Sequence, residues 1–372
     1  SDKVVRAAHL FVGMQMHGAR SPAMPRPQSV SPGPSRGHAS RMESSSPSRF
    51  TPYPRSGSTS PMHHGQRNVP QSQNAADDSA EAHASRDPHF SPDKQLARRS
   101  QAGIASGESK RFGENCEFVS VGCFCAVAHA LQSLGLKQYT YPFDWNRSPS
   151  DGVMHCLQTN FSDFLDYGFV RDEGHKGKLF GGTAWGGSFW HHDLDDKEVR
   201  RGLLRRTERL LGYGDVPATK NRFFVRSANS SREVLQTLQL RDVLRDAYPD
   251  ASVRLLLLVE GQSKKTAWRI EGDVTDLLMV NVPTMQYAPG SAWTMKVHAE
   301  AYADAIGFGL HYFANAPHAL NSVNTVKDLP SYMDTLAKWD GGSCSNQTLK
   351  VEPVIGFNFV TQLSRRGAQC AE

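Results

Sequence analysis

The sequence has no apolar run approaching the length of a bilayer span, so no membrane partner is expected. It has no clean secretory leader either. Residues 4–14 are mildly apolar, but Arg6 and His9 interrupt them. The chain opens on Ser1 rather than Met, and its native start is expected to lie upstream. Phosphate-cradling signatures are missing. Gly181-Gly182-Thr183-Ala184-Trp185-Gly186-Gly187 is glycine-rich, yet it has neither a following Lys-Ser/Thr nor the GxGxxG spacing. No cofactor is expected, and this stretch reads as a mobile flap. The six cysteines (Cys116, Cys123, Cys125, Cys156, Cys344 and Cys370) form neither a small disulfide framework nor the short-spaced pairs of structural zinc sites. No metal is expected, and a reducing intracellular compartment, the cytoplasm, is. The net charge of +5 is modest. With no aromatic-basic platform, the folded part is not expected to bind nucleic acid.

Large apolar residues are scarce between Met24 and about residue 110, where Phe50, Tyr53 and Phe90 stand nearly alone. Ser-Pro pairs such as Ser21-Pro22, Ser31-Pro32 and Ser60-Pro61 punctuate a stretch rich in Ser, Pro, Arg and His. Such a segment cannot bury enough apolar surface to offset its ordering entropy. Residues 1–110 are therefore expected to form a disordered tail. Its arginines would suit an acidic partner, and a solvated spacer is the equal alternative.

The remaining residues suffice for one domain, expected over 111–320, with an irregular segment over 321–372. Strand and helix patterns alternate. Cys116–Val121 reads as a strand and Cys125–Leu134 as a helix stopped by Gly135. Residues 139–145 form an aromatic loop. Ser150–Leu157 and Phe161–Tyr167 look helical, as does the charged, amphipathic Lys197–Leu211. Arg222–Arg226 is a short strand, and Ser230 or Ser231 can cap the helix that follows. Val253–Val259 is nearly continuous in apolar residues, the mark of a strand buried on both faces of a parallel sheet. Leu277–Val282 adds a strand and Trp293–Ile306 a helix. The expected fold is α/β, a three-layer sandwich around a mainly parallel sheet. A papain-like α+β fold is the alternative.

Ser120-Val121-Gly122-Cys123-Phe124-Cys125 places a thiol where a strand stops and a helix starts. The free N–H groups and positive dipole end of a helix favour thiolate, the nucleophilic form. In open α/β sheets the ligand crevice lies beyond the carboxyl ends of the strands. The loops after 116–121, 222–226 and 253–259 should converge there. The competing reading of Cys125 is a small buried hydrophobe.

The thiol segment is followed by Tyr141-Pro142-Phe143-Asp144-Trp145, the Phe161–Leu165 run, His192-Asp193 and Phe224-Val225-Arg226. In that order these motifs resemble a family described as papain-like cysteine peptidases. The resemblance implies Cys125 as nucleophile, His192 as base and Asp144 as the group orienting it. It covers about residues 115–310. A Cys-His pair works because the imidazole takes the thiol proton and returns it to the leaving group.

Gly122 would let backbone amides approach an oxyanion, with Ser120, Asp193, Trp145 and Arg226 in support. Other residues compete for each role. Cys123 is a second thiol. His129 lies one helical turn after Cys125, and His191 adjoins His192. His298 and His311 are late candidates. Asp144 is as well suited to capping a turn, and Arg226 to a carboxylate or phosphate ligand or to a surface ion pair. The function expected is a cysteine-dependent hydrolase acting on a peptide or small molecule. The alternatives are a transferase using a sugar or phosphate donor and a non-catalytic binding domain.

Overall fold

A computed structural model describes residues 87–174, 177–273, 276–283 and 295–336. A six-stranded sheet runs through them in the order β1-β6-β7-β9-β8-β10. Its strands are β1 (Cys116–Ser120), β6 (Asn221–Ala228), β7 (Val253–Val259), β8 (Thr266–Ile270), β9 (Leu277–Asn281) and β10 (Val323–Val326). β1, β6, β7 and β9 pair in parallel. β8 turns back against β9, and β10 runs parallel to β8. The mainly parallel sheet expected from sequence is present, and it displaces the papain-like α+β alternative.

Side chains of a strand point alternately to opposite faces, and two cores result. Leu255, Leu257 and Val259 of β7 join one core with Phe224 of β6 and Val119 of β1. Leu256 and Leu258 join the other, with Phe223, Val225 and Phe118. The first core is covered by α4 (Ser150–Gln158), α5 (Lys197–Leu211), α6 (Ser231–Leu235), α7 (Thr237–Ala247) and α10 (Leu329–Thr335). A small antiparallel sheet, β2 (Asn146–Arg147), β5 (Ser188–Phe189), β4 (Lys178–Gly181) and β3 (Phe169–Asp172), lies on the same side. The second core is covered by α3 (Ala126–Ser133), α8 (Met295–Phe313) and α9 (Pro317–Leu320). Three layers follow directly.

Several boundaries differ from expectation. Residues 1–86 of the anticipated tail lie outside the described residues, but 87–110 are structured. A 3-10 turn at Pro88–Phe90 leads into α1 (Pro92–Gln101) and then α2 (Gly107–Asn115). α1 buries no residue. It is held by polar side chains that reach the last carbonyls of α3: Gln95 Nε2 donates to Gln132 O (2.9 Å) and Arg99 Nη1 to Leu134 O (2.7 Å). Carbonyls at a helix C-terminus have accepting capacity to spare (Gln132 O takes this bond beside the one from Gly135 N at 2.9 Å), so a polar strap can order without a large apolar face.

Residues 161–167 form turns, not a helix, because Asn160 and Phe161 adopt left-handed φ of 51° and 59° while Phe161 is drawn into the core. The glycine-rich stretch is packed rather than flap-like. A Cβ at Gly187 would stand 1.6 Å from the Trp185 ring, itself buried. Beyond residue 320, β10 and α10 complete the sheet edge and one core. Residues 337–372 lie outside the described residues.

Candidate thiol site

The turn between β1 and α3 carries both thiols, and its backbone is pinned at successive residues. Val121 N donates to Val225 O (2.9 Å), Ser227 N to Gly122 O (3.0 Å) and Ser148 N to Cys123 O (3.0 Å). Cys123 N donates to Ser227 Oγ (3.3 Å). Gly122 sits at φ +87°, and a Cβ there would meet Ser148 Oγ at 2.0 Å. Both the left-handed conformation and the close approach require glycine. Ser120 is buried, with its Oγ 3.5 Å from Gly122 N.

Cys125 holds the N-cap position of α3 and is partly exposed. Burial pushes its thiol up to about 12, and its own backbone N–H acts the other way. Desolvation thus outweighs the helix terminus in this conformation. Cys123 is fully enclosed, and burial raises its thiol further.

Trp145 is where the imidazoles meet. His129, one turn after Cys125, packs edge-on against its ring at 4.8 Å, and His191 does so at 6.3 Å. Phe90 of the strap stacks on His129 at 5.5 Å. Burial lowers His129 to about 4, with the neighbouring His191 and Lys137 adding to it. Its Nδ1 is buried without a hydrogen-bond partner among the described residues. His191 is exposed, yet crowding by its surroundings still lowers its pKa.

His192 is placed differently. It is buried, and its Nε2 accepts from Arg206 Nη1 at 3.0 Å. Burial first, then the Arg206 charge, lowers it to about 3, which keeps the ring neutral. Asp144 is buried, with its carboxylate accepting from Tyr141 N (2.8 Å) and paired with Lys137 Nζ (3.3 Å). The turn-capping role is therefore realised. Asp193 is exposed and pairs with Lys178 at 3.1 Å.

Arg226 is wholly buried. It pairs with Glu233 and donates to Val121 O and, at 3.0 Å, to Ser148 O. It is neither a surface ion pair nor a side chain open to a ligand. The carboxylate or phosphate ligand that its sequence position suggested has no access to it, since its guanidinium is wholly buried and engaged by Glu233, Val121 O and Ser148 O. Ser150 completes the arrangement, its hydroxyl donating to Glu233 Oε2 at 2.7 Å and its N–H to Oε1 at 3.2 Å.

Sequence reasoning missed Glu233, Ser148, Ser150, Ser227, Lys137 and Arg206 as neighbours of the site residues. One signal was available: an arginine inside an apolar strand demands a buried counter-charge. Among the described residues no group of three or more His, Cys, Asp or Glu side chains is arranged for a metal ion. No helix of the described residues is long and apolar enough to cross a membrane.

Comparison with known proteins covers this same region. Residues 116–250 match the family model described as "Putative papain-like cysteine peptidase (DUF1796)". The match begins at β1 and ends just after α7, so it takes in the thiol turn, the Trp145 loop, both adjacent histidines and the Arg226–Glu233 pair. The chain is also 37% identical over 51 residues to an uncharacterised protein of Acanthamoeba polyphaga mimivirus. That stretch is 13% of this chain and 23% of the relative, so the chain spans about a quarter of the relative's length. No solved structure matches.

Proposed function

We propose that the domain is a cysteine-dependent hydrolase of the papain-like family type, with Cys125 as its nucleophile. The observation that carries this reading is the position of Cys125. Cys125 is a partly exposed residue at the N-cap of a helix, beyond the carboxyl end of a parallel strand, inside the segment that matches the family. Ligands of open α/β sheets bind at that edge. The thiol's own N–H, at the helix start, favours the developing thiolate and is a donor for an oxyanion.

His191 is the proton acceptor in this proposal. It is the exposed imidazole of the group around Trp145, whereas Nε2 of His192 is engaged by Arg206. Attack requires the Cys125 thiol to shed part of its desolvation, so substrate binding would open the site towards His191 and water. The acyl group would pass to sulfur as the leaving group takes the proton, and water would then release it.

The test uses the full chain with a panel of peptide, ester and thioester substrates and a thiol-directed acylating probe. Cys125→Ala should remove all turnover and all site-specific labelling, and His191→Ala should lower the acylation rate by about 100-fold or more. Labelling that persists in Cys125→Ala would show the nucleophile to be another residue. Full activity in His191→Ala together with loss in His129→Ala would transfer the base to the helix turn.

A further inference from the structure

Beneath the backbone bonds that pin the thiol turn to β6 and to Ser148 lies one buried ion pair. Arg226 lies near the carboxyl end of β6, on the sheet face occupied by Phe224. Its guanidinium is fully buried and reaches three groups at once: the Glu233 carboxylate, Val121 O and Ser148 O. Val121 is the last residue before Gly122. Ser148 returns its N–H to Cys123 O, and its Oγ occupies the space where a Gly122 side chain would stand. One guanidinium therefore ties the start of the thiol turn to the segment that closes over it.

Glu233 fixes the guanidinium in turn. Burial alone would raise its carboxyl, but the Arg226 charge and the two bonds from Ser150 outweigh this and hold it ionised below its ordinary value. Ser150 opens α4 and Ser230 caps α6 at Glu233 N, so both helix starts are fastened to the same carboxylate residue. A planar fork that satisfies several acceptors together cannot be replaced by a point charge.

We infer that Arg226 and Glu233 are the positioning residues of the thiol, setting the Gly122–Cys125 turn so that the sulfur of Cys125 is held covered at the N-cap of α3. Neither touches the reacting atoms. The inference rests on the hydrolase reading above, because it assigns the pair to the thiol that reading uses. If the fork is lost, the turn is freed and water reaches the sulfur. The thiol should then become easier to ionise and faster to alkylate, even as its alignment for acyl transfer is lost.

The experiment is the pH–rate profile for alkylation of Cys125 by iodoacetamide in the full chain, resolved by peptide mass spectrometry between pH 7 and 9.5. In the parent protein the rate should climb about tenfold per pH unit without a plateau, since the midpoint lies far above the range. Arg226→Lys and Glu233→Gln should each raise the rate at pH 8 by about tenfold and bend the profile towards a plateau. Arg222→Lys is the control. Arg222 is equally buried on the same face of β6, but it donates to Lys220 O (2.7 Å) and Pro217 O (2.9 Å) at the strand's other end. It should lose stability and leave the Cys125 profile unchanged.

The inference is overturned if Arg226→Lys and Glu233→Gln behave as Arg222→Lys does, losing stability with the profile unmoved. Should both fail to fold, Ser150→Ala removes only the hydroxyl bond to Glu233. It should raise the rate by about threefold, and an unchanged profile in that folded variant is equally fatal. Alkylation needs no turnover. A shifted profile in a chain that hydrolyses nothing therefore sustains the positioning role and removes the hydrolase, and an unmoved profile in an active enzyme does the reverse.

Discussion

A thiol is nucleophilic only in proportion to its ionised fraction, and at Cys125 two influences oppose each other. The helix terminus and its own N–H favour thiolate, while burial pushes the group up to about 12 and wins. The turn that creates this balance depends on one residue having no side chain. At Gly122 the backbone is left-handed and Ser148 Oγ lies within 2.0 Å of where a Cβ would be. Gly122→Ala should cost about 2–3 kcal/mol from combined strain and clash, read as a lowered urea midpoint with an unchanged slope. A cost below about 0.5 kcal/mol would mean that the turn relaxes freely and positions nothing. This residue was legible in the sequence as a glycine between strand and thiol. The role of Glu233 was not legible, because its partner Arg226 meets it across a loop and no local pattern records that pairing.

At the scale of elements, legibility followed burial. β7 matches its expected span, since a run of apolar residues with both faces covered admits few other solutions, and α5 does so through its amphipathic period and its Asp196 and Gly212 caps. The strap was not legible because it is ordered by hydrogen bonds to another helix rather than by a periodic apolar face. α1 buries nothing, and Phe90 is the apolar anchor before it. Arg99→Ala should therefore cost about 1 kcal/mol, the worth of the bond to Leu134 O, with loss of amide protection confined to residues 92–101. Hydrogen exchange that rises equally in β6 and β7 would show the strap to be part of the cooperative core instead. The edge strand β10 escaped notice for a related reason: it is short, with its middle residues exposed. The turns at 160–161 escaped it because an apolar run at helical spacing can equally well fold back into a core.

The described residues enclose several imidazoles that burial keeps neutral, and the stability of the molecule should carry that signature. An unfolded histidine takes up a proton near pH 6.5. In the fold, burial holds His129 neutral down to about 4 and His192 down to about 3, and it lowers His298 as well. Between those limits the unfolded chain binds more protons than the native one, so stability falls as pH falls. Each such group contributes a slope of up to about 1.4 kcal/mol per pH unit, fully absent above its unfolded value and accumulating below it. Glu117 and Asp276 act the other way, because burial raises their carboxyls and the native state takes up those protons first, near the acid end of the window. Glu233, held low chiefly by Arg226 against its own burial, adds to the loss once pH drops below its ordinary value. Urea unfolding at pH 7, 6, 5.5 and 5 should therefore show stability steady to about pH 6.5 and then declining. His192→Gln, whose carbonyl can still accept from Arg206, should remove about one proton's share of that slope. A flat profile from pH 7 to 5 in the parent protein would mean that these rings protonate in the native state, and that the dense surroundings of Trp145 and Arg206 open to water far more readily than their packing implies.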